Sequence, residues 1–202
     1  SSSNNATVFI PGCLSWEPGW KAIQSASGNG DVKAILANAG QLVNNADSKE
    51  NVQKAINAYE EAAKIEPNNV TANRELGLLY FLMAYAYTEK ADEKKPLYLK
   101  ALQCDERVMY DNPEFKALAD KGEPVWEACR VLTKNDMYAM YRWYLSLGNC
   151  WTDCYSPIGK LINSMWPGRD RKVLERMTEV DPNWYNGSIY FCWAAYYTIL
   201  PG

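Results

Sequence analysis

The sequence predicts an all-α protein made of helix-hairpin repeats with insertions, preceded by an irregular N-terminal arm. Three observations predict it. Apolar residues recur at helical spacing through most of the chain from Asp31 onward. No segment beyond the first ten residues alternates apolar and polar side chains as a half-buried strand would. A short signature of acidic, apolar and Pro-Asn positions also returns in separate places. On this reading residues 1–30 form the arm and residues 31–202 the repeat domain.

The arm opens on Ser1-Ser2-Ser3-Asn4-Asn5 and continues into a β-prone run, Ala6 to Ile10, closed by Pro11-Gly12. That run is too short to be a stable strand alone, so Val8, Phe9 and Ile10 are expected to contact another copy of the chain or its own domain. The first helix carries Val32, Ile35, Leu36, Ala39 and Leu42/Val43 on one face. Asp47-Ser48 offers an N-cap for a helix over 49–65, which Pro67-Asn68-Asn69 ends. A third helix is expected over 70–91, with Leu76, Tyr80, Met83 and Tyr87 aligned. Pro96 suits the first turn of a fourth. Shorter helices fit 114–120 and 124–133, and a long aromatic one fits 137–155, with Pro157 ending or kinking it. The last pair, 169–180 and 185–199, is split by Asp181-Pro182-Asn183.

The repeat signature aligns Tyr59-Glu60-Glu61-Ala62-Ala63-Lys64-Ile65-Glu66-Pro67-Asn68 with Leu174-Glu175-Arg176-Met177-Thr178-Glu179-Val180-Asp181-Pro182-Asn183. Ten residues after Pro67 stands Gly77, within Leu76-Gly77-x-x-Tyr80; ten after Pro182 stands Cys192, within Phe191-Cys192-x-x-Ala195. Leu147-Gly148-x-x-Trp151 is a third copy. This is the grammar of the tetratricopeptide (TPR) repeat. A small residue on the first helix admits the second, a Leu and an aromatic flank it, and a Pro turns the chain into the next hairpin. The runs from Gly77 to Pro113 and from Gly148 to Pro182, 36 and 34 residues, exceed the roughly 24 residues that a standard repeat needs, so insertions of about a dozen residues are expected.

The stretch from about 124 to 201 resembles a known family, the T component associated with tripartite ATP-independent periplasmic (TRAP) transporters. The resemblance rests on Tyr141-Arg142-Trp143-Tyr144-Leu145-Ser146-Leu147-Gly148, on Met177 through Gly187, and on the closing Ala194-Ala195-Tyr196-Tyr197-x-x-Leu200-Pro201. It implies an exported, often lipid-anchored, TPR-like protein that forms ring-like oligomers and docks a periplasmic solute-binding protein.

Composition narrows the chemistry. The chain has no His, which removes the commonest general base and most zinc and haem ligand sets. Neither a metal nor a cofactor is expected, and an enzyme is not. The net charge of −3 has no basic stripe to attract nucleic acid, and no apolar run approaches a membrane span. A protein partner is left, either a solute-binding protein or further copies of the chain as a homo-oligomer. The alternative role is a self-assembling structural subunit of a filament or surface layer, joined through the arm and the repeat ends.

Six of the eight Trp and eight of the fourteen Tyr fall after residue 125, more than a repeat core needs, so Trp143, Trp166, Trp184, Tyr190 and Trp193 are the expected partner-binding residues. The polar start at Ser1 suits a mature, exported N-terminus or a lipid tether, which places the protein in the periplasm or outside the cell. In that setting Cys13, Cys104, Cys129, Cys150, Cys154 and Cys192 are disulfide candidates; small buried thiols are the other reading.

Overall fold

The computed structural model describes residues 12–199. Val8, Phe9 and Ile10 lie outside the described residues. Within them are ten α-helices and no strand. They are α1 (Val32–Val43), α2 (Lys49–Ile65), α3 (Val70–Tyr87), α4 (Ala91–Tyr110), α5 (Pro113–Asp120), α6 (Val125–Ala128), α7 (Met137–Cys154), α8 (Pro157–Ile162), α9 (Met165–Val180) and α10 (Trp184–Ile199). The all-α, TPR-like class predicted from sequence is the observed one.

Five of the ten starts are set by side-chain caps. The side chains of Asp31, Ser48, Asn69 and Asn112 each accept a backbone N–H of the first turn of α1, α2, α3 and α5. Three expectations need correction. Helix α3 stops at Tyr87 because Thr88 takes extended backbone and its hydroxyl donates to the Met83 carbonyl at 2.9 Å. Helix α4 then begins at Ala91, so Pro96 lies inside it rather than at its first turn. The acidic pair Asp92 and Glu93 suits the positive end of the helix dipole and favours this earlier start. Finally, Pro157 begins helix α8, capped by the Ser156 hydroxyl, instead of merely ending α7.

The helices pair as α1–α2, α3–α4 and α7–α9, and α10 packs on α9. Helices α5 and α6 fill the connection from α4 to α7, and α8 fills that from α7 to α9; these are the insertions. The first helix of each pair offers a glycine to the second. A Cβ on Gly40 would lie 3.8 Å from the Tyr59 hydroxyl, one on Gly77 would lie 2.3 Å from Asp105 Oδ1, and one on Gly148 would lie 3.2 Å from Asp170 Oδ2. Two apolar cores result. Val52, Ile56, Tyr59, Leu76, Leu79 and Met83 make one among α1–α4; Tyr98, Met109, Phe115, Met140, Trp143 and Leu174 anchor the other among α4–α10. Helix α4 serves both, with Ala101 and Cys104 facing the first and Tyr98 and Leu102 the second.

The described part of the arm, residues 12–30, is irregular, and it is strapped across its own domain. The Leu14 amide donates to Asn163 Oδ1 at 2.6 Å, and Trp166 Nε1 donates back to the Leu14 carbonyl at 3.1 Å. The strap then crosses α4 at Gly19, where an added Cβ would lie 2.0 Å from the Gln103 carbonyl oxygen. Arg107 holds the next stretch by donating from Nε to the Gly19 carbonyl (2.9 Å) and from Nη2 to the Ala22 carbonyl (3.1 Å). Beneath the crossing, the buried Glu106 carboxylate accepts three N–H groups: Trp16 Nε1 at 3.1 Å, the Gly19 amide at 3.0 Å and Trp143 Nε1 at 3.0 Å. Burial pushes the Glu106 carboxyl up to about 7, and these three donors with the Arg107 charge restrain the rise.

Two predictions follow from this packing. Gly77→Ala forces a methyl against the short, fully buried Asp105 side chain and is expected to destabilise by roughly 1–3 kcal/mol. In Gly148→Ala the milder contact is offset by the helix preference of Ala, about 1 kcal/mol, leaving the change near zero; urea unfolding of both variants measures the difference. The second concerns pH. Between its unfolded value of 4.5 and about 7, Glu106 holds its proton in the folded state and has released it in the unfolded state. Stability therefore falls as pH rises through that window, by on the order of 3 kcal/mol, and levels off above it. Asp105 and Asp170, pushed up by burial, act in the same direction. Denaturation midpoints across the window should decline in the wild type and decline less steeply in Glu106→Gln.

Candidate functional site

The C-terminal face is built from α10 and the turn that delivers it. Helix α9 ends as the Asp181 amide donates to the Met177 carbonyl, and Trp184 N–H closes the next turn onto the Asp181 carbonyl at 3.1 Å. Tyr185 (φ 47°), Asn186 (φ 55°) and Gly187 (φ 87°) then run left-handed before the regular helix begins. Gly and Asn tolerate that backbone, whereas a tyrosine there costs about 1–2 kcal/mol. The turn is pinned to α7 by Trp184, edge-on to Tyr138 at 4.9 Å and tilted against Tyr141 at 5.1 Å.

Beyond the turn α10 is apolar on every side. Ile189, Cys192 and Tyr196 face inward. Trp193 is half-buried; its indole N–H donates to the Thr178 hydroxyl at 2.9 Å and its ring lies near parallel to Tyr197. Tyr185, Tyr190, Phe191 and Tyr197 are left in solvent, Phe191 at 78% exposure. A second exposed apolar patch, Ile158, Leu161, Ile162 and Met165, lies on α8 and the start of α9. Exposed apolar residues in groups of this kind mark interaction surfaces.

The five aromatics singled out from sequence divide. Trp143 is fully buried and bonded to Glu106, so it is a core residue and not a surface contact. Trp166 is also buried, packed on Trp16 at 4.8 Å and edge-on to Trp126 at 5.4 Å, with the Arg169 guanidinium over its face. Trp184 and Trp193 are half-buried supports, and Tyr190 alone of the five is open to solvent. Tyr185, Phe191, Tyr197 and the α8 patch were missed. A signal for them existed: a helix with apolar residues all round either sits inside a core or offers a face to a partner.

No two of the six cysteines are bonded to each other in the structure. Five are buried, Cys104 in the core among α1–α4 and Cys129, Cys150, Cys154 and Cys192 in the other. Burial pushes Cys104, Cys129 and Cys192 up to about 12, and Cys150 is raised by its hydrogen bond to Cys154 and by burial. Thiols held so far from ionisation are packing groups rather than nucleophiles.

Concave spaces lie on both halves of the molecule. A groove of about 370 Å³ lies between strap residues 22–27 and helices α2, α3 and α4. On its walls Tyr80 is bonded to Glu60, and Arg107 to the strap and to Asn73. A smaller pocket of about 150 Å³, mostly apolar, lies between α7, α9 and α10.

Residues 48–83 match the TPR repeat family. The match spans α2 and most of α3, the second helix of one hairpin and the first of the next. No curated protein matches the chain as a relative. A TPR-like helical repeat is a protein-interaction scaffold, and this architecture implies a protein partner. Among the described residues no helix is long and apolar enough to cross a membrane.

Placement separates core from contact residues experimentally. Trp143→Ala is expected to destabilise by about 3–5 kcal/mol, whereas Tyr190→Ala should change stability by less than about 0.5 kcal/mol. Chemical denaturation of the two variants checks it.

Proposed function

We propose that this chain is a non-enzymatic docking scaffold that engages a protein partner through the apolar outer face of α10. The observation that carries the reading is the set of solvent-facing rings, Tyr185, Tyr190, Phe191 and Tyr197, on a helix whose inner face already supplies the core. Rigid aromatic side chains give large contact area for little conformational entropy, which is why they dominate binding hot spots. The strained turn at 185–187 supports the same reading, since backbone held off its preferred conformation concentrates where function requires it. The absence of His and the high thiol ionisation points support a role without nucleophilic or general-base chemistry.

The resemblance of residues 124–201 to TRAP transporter T components supports an exported adaptor, with a periplasmic solute-binding protein as the partner. Crosslinking in the native envelope, followed by titration of the purified partner, tests it. Tyr190→Ser with Phe191→Ser is expected to weaken capture by at least about tenfold while leaving the thermal midpoint nearly unchanged. Native mass measurement of the chain alone should give a monomer or a small closed ring. An open-ended polymer would instead favour a self-assembling structural subunit, and undiminished capture by the double variant would remove α10 as the docking face.

A further inference from the structure

The pocket between α7, α9 and α10 holds polar groups that the fold leaves unused. Its walls include the rings of Tyr144, Trp151, Trp166 and Tyr196. The polar tips of three are committed elsewhere. The Tyr144 hydroxyl donates to the Cys192 carbonyl (3.0 Å), Trp151 Nε1 to the Asn163 carbonyl (3.0 Å) and Trp166 Nε1 to the Leu14 carbonyl (3.1 Å). Besides the Tyr196 hydroxyl and the Asn149 amide, whose Nδ2 donates to the Leu145 carbonyl, the wall carries the Asp170 carboxylate and the Thr152 hydroxyl. Asp170 is only 5% exposed, and among the described residues neither its Oδ1 nor Thr152 Oγ1 has a hydrogen-bond partner.

The neighbouring cations do not neutralise Asp170. Arg169 lies over Trp126 and Trp166, at 4.5 and 4.6 Å from the ring centres. Arg171 bonds Glu175 and lies over Trp193 and Tyr196. Burial alone raises the Asp170 carboxyl well above the ordinary carboxylate range. Asp105, the aspartate facing the glycine of the preceding hairpin, is equally buried and unpartnered, but none of the described cavities reaches it. Asp170 is the one that opens onto a space.

We propose that this pocket binds the protonated amine of a small aliphatic ammonium group, with Asp170 as counter-ion, Thr152 as a second acceptor and the surrounding aromatic rings as its walls. An ammonium has three N–H donors and no acceptor, the complement of a carboxylate and a hydroxyl that line one pocket, and aromatic faces attract the same charge. A neutral alcohol of equal length could donate one hydrogen bond but would bring no charge to balance an ionised Asp170, and an anion would be repelled by it. A cavity near 150 Å³ holds a molecule of about six heavy atoms, which fits n-butylammonium. That fragment is also the end of a lysine side chain, so the ligand is either a free amine or a lysine presented by another chain. The site is separate from the outer face of α10 and does not depend on the docking role.

Isothermal calorimetry and tryptophan fluorescence with n-butylammonium chloride at about pH 8 test it, against 1-butanol and butyrate as controls. Butylammonium is expected to bind at least about tenfold more tightly than butanol, and Asp170→Asn should remove that advantage while Thr152→Val weakens binding less. Nα-acetyl-lysine methylamide separates the sources: binding of both probes admits a presented lysine, and binding of butylammonium alone assigns a free amine. Asp170→Asn is the isostere of the protonated form that burial favours, so it should fold. If it does not, the wild type still decides the matter through proton release. Binding in weakly acidic buffers of differing ionisation enthalpy must release a proton as Asp170 ionises. Equal affinity for butanol, unchanged affinity in Asp170→Asn, no proton release, or no binding at millimolar butylammonium overturns the proposal.

Discussion

One carboxylate decides how this fold is joined. Glu106 stands on α4 where the strap crosses it, and its two oxygens take the indole N–H of Trp16, the amide of Gly19 and the indole N–H of Trp143. A buried carboxylate without donors costs several kcal/mol, so this position is stable only when both the strap and α7 are in place. The interaction thus links three segments far apart in sequence. Arg107, the next residue, extends the link by holding the strap's Gly19 and Ala22 carbonyls. Because α4 also divides the two cores, the place where the strap lands fixes where the α1–α4 half meets the α7–α10 half.

The same helix shows how the repeat grammar has been bent. In a TPR hairpin a small residue on the first helix meets a small residue on the second, and the backbones close up. Here the second helices offer Asp105 to Gly77 and Asp170 to Gly148. Each glycine therefore accommodates a carboxyl group rather than a methyl. The hairpins α3–α4 and α7–α9 then differ in what surrounds the acid. Around Asp105 the packing is closed, with α7 lying against both α3 and α4. Around Asp170 the next layer is α10, which the left-handed turn re-aims, and the space under it stays open as a pocket.

Most helices were legible because their signals are local. Ser48 caps where sequence places it, and the spacing of Val52, Ile56 and Tyr59 or of Leu76, Tyr80 and Met83 reads directly as a buried face. The prolines misled where local preference was outvoted. Pro96 suits a helix start, but Asp92 and Glu93 and the burial of Ala91 draw α4 back by more than a turn. The strap was illegible because what orders it is non-local. Nothing near Trp16 or Gly19 announces that Glu106 lies beneath them, some ninety residues away in sequence. The candidate site failed for a related reason. Trp143 and Tyr190 are both aromatic residues on helices, and only the partner of the Trp143 indole, again Glu106, tells core from surface.

Helix α10 is where these threads meet, because its two faces have different owners. Ala195, Tyr196 and Ile199 form a wall of the pocket that holds Asp170, while Phe191 and Tyr197 stand outward. The helix is fastened chiefly to α9, through Trp193 on Thr178 and through the Arg171 guanidinium over Trp193 and Tyr196. Its other anchor is the turn at Trp184, which packs on α7 but passes at once into left-handed backbone. At mid-helix the Tyr144 hydroxyl of α7 also donates to the Cys192 carbonyl, so α10 is held by both α7 and α9, and its inner residues are part of the pocket wall. The exposed rings and the wall around Asp170 are therefore carried by the same element.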